Sequence, residues 1–146
     1  MSDIVYLDDI KVGDTFESRE YEVTAEEIKE YANKYDPQIF HLDEEKAKDT
    51  FFKGLAASGW HTVSITMRLL VETIKFSKGT IGAGAQLDWP TPTRPGDFLK
   101  AKSIVKEIKR SKSKPSQAIV TLENEITNQD GEVRLILTTK VLAFDK

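Results

Sequence analysis

The sequence predicts an α+β fold in which an antiparallel sheet wraps around a long central helix. Three observations lead there. Between Trp60 and Lys75 the apolar residues Val63, Ile65, Met67, Leu69, Leu70, Val71 and Ile74 spread around most of a helical circumference, the mark of a buried helix. Downstream, apolar residues alternate with polar ones in a succession of segments, the period of half-buried strands. The chain has 146 residues, and a domain of that size buries about 68 to 70% of its unfolded surface, so residues 1–146 can form a single domain with a real core.

Each element has its own signal. A Val-Gly-Asp turn precedes an extended stretch from Thr15 to Val23, read as a first strand. Thr24 with Glu27 three residues later forms a capping box, and Ile28, Tyr31, Ala32 and Tyr35 recur at helical spacing, giving a helix over about Ala25 to Lys34. Pro37 disfavours helical geometry at Asp36, so Asp36 to Leu42 reads as a loop. Asp43 can cap a short helix through Lys48. After the central helix come strands carrying Ile81 to Trp89, Ala118 to Ile126 and Val133 to Ala143, the last two joined by a hairpin at Asn128 to Gly131. These runs and hairpins give the antiparallel sheet.

Composition narrows the chemistry. There are no cysteines, which excludes disulfides, thiolate metal sites and cysteine nucleophiles and fits a reducing, cytoplasmic setting. No window reaches the roughly 18 consecutive apolar residues of a membrane span, and Met1 to Asp14 lacks a signal-peptide core. The net charge of −3 is too small to steer polyanions. Seven basic residues crowd Lys100 to Lys114, read as a solvated strand edge and turn; without interleaved aromatics they do not make a nucleic-acid surface. No Cys/His/Asp/Glu cluster has metal spacing. Gly82-Ala83-Gly84 lacks the third glycine of a dinucleotide fingerprint.

The one stretch with chemical promise runs Tyr35-Asp36-Pro37-Gln38-Ile39-Phe40-His41-Leu42-Asp43. It places a carboxylate and an imidazole five residues apart, about 16 to 18 Å if extended, so they meet only if the loop curls. Gly59 starts the buried helix, where free amides and the positive dipole end favour an anion; equally, a glycine there suits close helix–sheet packing. Ser58 before it has the position of an N-cap.

Three blocks carry a family resemblance over roughly residues 10 to 144. Asp36 and His41 match the two catalytic positions of the Asp-x-Asn-Pro-x-His signature, with Ala47 on its small residue and Tyr31 on its preceding aromatic. Gly54 to His61 resembles the entry to the family's central helix, and Trp89 to Asp97 its Pro-x-Arg-Pro-Gly-Asp turn. The chain thereby resembles the MaoC-like dehydratases and (R)-specific enoyl-CoA hydratases, which have the hotdog fold. Gln38 and Ile39 depart from the signature and resemble a branch with an Asp-Pro-x-x-Phe-His variant.

The resemblance implies a lyase that reversibly adds water to a trans-2-enoyl-CoA, with no cofactor and no metal. It implies that Asp36 and His41 act as general base and acid and that the Gly59 amide receives the thioester oxygen. Ser58, Phe40, Trp60 and Arg94 are the expected substrate contacts, and a homodimer that lines the substrate tunnel from both subunits is the expected assembly. Two other readings share the fold: a thioesterase dependent on Glu72 of the central helix, and a non-catalytic acyl-thioester binder.

Overall fold

The computed structural model describes residues 3–146; Met1 and Ser2, at the start of the expected domain, lie outside the described residues. The elements run β1 (Ile4–Val5), a 3-10 turn (Leu7–Asp9), β2 (Thr15–Glu17), β3 (Tyr21–Glu22), α1 (Ala25–Tyr35), α2 (Ile39–Leu42), α3 (Glu44–Ala47), α4 (Gly59–Thr73), β4 (Lys75–Phe76), β5 (Ile81–Asp88), β6 (Phe98–Arg110), β7 (Gln117–Thr127) and β8 (Val133–Phe144). The main sheet has the order β2-β6-β7-β8-β5, its pairs all antiparallel, and β3 pairs with β6. A small parallel pair joins β1 to β4.

The expected first strand is two strands, because the Ser18 side chain interrupts the ladder. Its Oγ accepts from the Ala101 amide at 2.8 Å and donates to the Arg19 carbonyl, so the chain bends before β3 rejoins β6. Thr24 caps α1 as expected, accepting from the Glu27 amide. The expected loop after Asp36 contains one helical turn, α2, which starts when the Gln38 carbonyl accepts from His41 N. Asp43 then caps α3 through the Lys46 amide at 2.9 Å.

The sheet curls around α4, whose Ile65, Leu69 and Leu70 pack with Val23, Ile28, Leu99, Ile126, Leu135 and Leu137. A second cluster, with Leu7, Ile74, Phe76, Val105, Val120 and Val141, fills the other end. Burial of α4 is incomplete, since Met67 and Val71 are exposed. Met67 lies beside β5, an edge strand exposed along nearly its whole length. The basic run meets expectation in part. The first half of β6 is flanked by β2 and β3 as well as β7, with Lys100 pairing with Glu17 at 2.8 Å, whereas Glu107 to Arg110 are ladder-paired with β7 alone among the described residues and Lys112 and Lys114 lie in the turn beyond.

Beneath the turn between β5 and β6 lies a buried ionic knot. Arg134 donates from Nε and Nη2 to both oxygens of Asp97, which also accepts from the Arg94 amide and from Asn128 Nδ2. Both charged side chains are at least nine-tenths buried. This knot fixes the 89–97 segment against the mouth of α4.

Candidate active site

The helical turn of α2 supplies the curl that a carboxylate–imidazole meeting requires. Asp36 is the C-cap of α1, its backbone no longer helical, and α2 swings His41 back so that its Nε2 stands 3.2 Å from Asp36 Oδ2. The His41 ring is buried, and its Nδ1 donates to the Ala56 carbonyl at 2.6 Å; a carbonyl can only accept, so Nδ1 carries a proton. Nε2 is therefore the atom that exchanges a proton with Asp36.

Asp36 is held as a carboxylate. Partial burial opposes its ionisation, but the Ser58 hydroxyl, the Gln38 amide at 2.6 Å and the neighbouring His41 outweigh burial and bring its pKa below the ordinary aspartate value. Ser58 acts without a hydrogen bond of good geometry in this rotamer: its buried Oγ has no partner. It is the N-cap residue of α4, but its side chain caps no amide.

The pair opens on a cavity of about 320 Å³ lined by Asp36, Gln38, Phe40, His41, Phe52, Gly59, Trp60 and Trp89, with Thr91 to Thr93 along one wall. Its walls are largely apolar with a few polar groups, the pattern of a small-molecule site. The amides of Gly59 and Trp60 make no hydrogen bond among the described residues, because the Ser58 carbonyl accepts only from His61 and Thr62. Two free N–H groups at the positive end of a 15-residue helix can hold an oxygen that gains negative charge.

Of the expected site residues, Asp36, His41, Gly59, Phe40 and Trp60 thus share one cavity, and Ser58 sits behind Asp36. Arg94 does not line it. Its guanidinium donates to the carbonyls of Phe52, Gly54 and Leu55, tying down the segment that carries Phe52. Glu72 is also elsewhere, gripped by Arg19 and Arg68 at 2.7 and 2.6 Å; these bonds hold its pKa down to about 2.

Sequence reasoning missed Trp89. Its indole Nε1 donates to the Gly59 carbonyl at 3.0 Å, and a Cβ at Gly59 would lie 2.5 to 2.8 Å from three ring atoms. The glycine is thus required for close packing, with Trp60 edge-on to the same indole. Gly59→Ala should therefore overpack this junction and cost about 1–3 kcal/mol in a denaturant melt. Trp89→Ala in the same chain should relieve most of that cost, and strict additivity of the two changes would contradict the contact.

These features have counterparts in known proteins. The family model described as MaoC like domain matches residues 9–128. The crystal structure of the MaoC-like dehydratase from Rhodospirillum rubrum is 51% identical, with a TM-score of 0.95 over 97% of this chain and 98% of that one. The (R)-hydratase from A. caviae involved in PHA biosynthesis is 25% identical, with a TM-score of 0.72 over 92% of this chain and 97% of that chain. The R-hydratase PhaJ1 from Pseudomonas aeruginosa shares the fold, with a TM-score of 0.81 at 23% identity, covering 98% and 88% of the two chains. An antiparallel sheet curled on one long helix, an Asp–His contact at its mouth and a family match across most of its length lead to one conclusion: the chain is a hotdog-fold member of the MaoC-like domain family of hydratases and dehydratases.

Proposed function

We propose that this protein reversibly adds water to a trans-2-enoyl-CoA, giving the (R)-3-hydroxyacyl-CoA. The observation that carries the reading is the 3.2 Å contact between His41 Nε2 and Asp36 Oδ2, set beside two free amides in an apolar-walled cavity. The acyl chain lies along Phe40, Phe52 and Trp60, and the thioester oxygen accepts from the Gly59 and Trp60 amides. A water held by the pair then faces C3. Asp36 takes one proton from that water, its oxygen bonds to C3, and electron density moves to the thioester oxygen. His41 enters this step protonated on both ring nitrogens, as the ion-pair partner of the Asp36 carboxylate, and the collapsing enolate takes its Nε2 proton at C2. The proton on Asp36 crosses to Nε2 and restores the starting pair. Dehydration is the reverse, and no cofactor takes part.

Hydrolysis of the thioester has less support, because Glu72 is locked in surface ion pairs. The test is the change in enoyl-thioester absorbance with crotonyl-CoA and longer trans-2-enoyl-CoAs, run beside a thiol trap for free CoA. Hydration without CoA release is expected; CoA release or no turnover would overturn the proposal.

A homodimer in the cytoplasm fits the same reading. Among the described residues strand β5 pairs only with β8 and presents an open edge containing Gly82 to Ala85. Beside it an apolar groove of about 340 Å³ is lined by Val63, Met67, Leu70, Phe76 and Leu137 among others. Sedimentation is expected to give twice the 16.5 kDa chain mass.

A further inference from the structure

The structure contains a second imidazole–carboxylate pair that the proposed chemistry leaves unused. His61 Nε2 stands 3.1 Å from Glu27 Oε1, and Tyr21 donates to the other oxygen of Glu27. Tyr31 stacks flat on the imidazole, with ring centroids 4.6 Å apart and planes 5° from parallel. The His61 ring is almost entirely buried, an unexpected position for a polar residue in the first turn of α4.

This ring has one nitrogen left unpaired among the described residues. Its Nδ1 and the Oγ of Ser58 are the two buried side-chain polar atoms without a hydrogen bond among the described residues. They belong to residues three apart at the start of one helix, where side chains are neighbours with Cβ atoms about 5–6 Å apart. Such groups are costly to leave unpaired, by about 1–3 kcal/mol each. Ser58 is in turn close enough to Asp36 to stabilise its carboxylate.

We infer that His61 is a positioning residue for the proposed hydration: anchored by Glu27, it orients the Ser58 hydroxyl across one buried water, and Ser58 holds Asp36 at the reacting water. The tautomer follows from the contacts. Glu27 accepts, so Nε2–H donates to it, and the bare Nδ1 is an unpaired acceptor three residues on from Ser58. The groups around the ring favour the neutral form. Burial lowers the His61 pKa and His41 from α2 adds to that, against the opposing pull of Glu27 on α1. Burial and the bond to Glu27 push the Tyr21 phenol on β3 up to about 12, so it stays a donor. Glu30, Lys34 and Arg68 line the outer groove.

The inference rests on the hydratase reading, and its test separates the two. With two histidines in the chain, 15N spectra resolve both rings in the folded protein, whether or not it turns over crotonyl-CoA. The His61 Nδ1 resonance is expected to move in Ser58→Ala, and the Asp36 carboxyl titration to move upward in His61→Phe. In hydration assays, His61→Phe should lose about tenfold in kcat with KM within about twofold, as expected of a group acting only through the transition state. His61→Asn, which keeps an acceptor at the Nδ1 position, should recover most of that loss. An Nδ1 signal indifferent to Ser58→Ala, or Phe and Asn variants with equal kcat and an unmoved Asp36 titration, would overturn the link. Absence of turnover in the wild type, with the Nδ1 and Asp36 shifts present, would instead overturn only the hydratase reading.

Discussion

Asp36→Asn is expected to lower kcat for crotonyl-CoA hydration by about 10²- to 10⁴-fold, the usual contribution of a positioned general base. The asparagine retains the size of the side chain and its contacts with Gln38, so the fold and KM should change little. His41→Ala should fall in the same range. The double variant should be scarcely worse than either single one, because two groups that share one proton act as a unit. The acid limb of the pH–rate profile follows from the direction of the Asp36 shift. A depressed carboxyl keeps its charge through the ordinary aspartate range and loses it as the pH falls through the lowered value. Activity should therefore persist below about pH 4, provided the fold does. A limb above that value would mean that another group controls the acid side.

Removing one partner of the Asp97–Arg134 pair is expected to give the largest loss of stability in the chain. Both side chains are at least nine-tenths buried, so Asp97→Ala leaves the guanidinium only the exposed Glu132 carboxylate at 3.5 Å, a change that costs about 3–5 kcal/mol. The Arg94 amide and Asn128 Nδ2 lose an acceptor in the same step. The functional consequence follows from position, because the knot holds the segment carrying Trp89 and Thr93 against the cavity. A urea titration of Asp97→Ala and Arg134→Ala should show reduced midpoints for both. A loss under about 1 kcal/mol in both would show that water reaches the pair and screens it.

The sequence made some of this legible and concealed the rest for physical reasons. Local signals survived well. The Thr24 cap, the Asp43 cap and the hairpin ending at Gly131, whose φ is +78°, all lie where short-range chemistry put them. Pairing partners were less readable. Lysines on alternate positions of β6 suggest an edge; that holds for its second half, and nothing local says that β2 and β3 will cover the flank of the first. Periodicity likewise made α4 look buried all round, when one apolar side is left for β5 and the groove beside it.

The site divides along the same line. Asp36, His41 and Gly59 were identifiable as residue types in a motif, but the span bounded by chain length closes to 3.2 Å only through α2, a turn too short to have a periodic signal. Trp89 on Gly59, Glu27 on His61 and Arg94 on the 52–55 carbonyls join residues 30 or more positions apart. Each is a tertiary contact, invisible to spacing. The Arg94 side chain illustrates the difference: a cation in a recognisable turn suggested a ligand, and the fold spends it on backbone carbonyls.

The most direct measurement is a crystal structure of Asp36→Asn with a trans-2-enoyl-CoA bound. The thioester oxygen is expected within hydrogen-bonding distance of the Gly59 and Trp60 amides, and C3 beside His41 and the substituted side chain. A thioester lodged elsewhere, with Trp89 still closed over Gly59 and C3 remote from His41, would contradict the proposed chemistry.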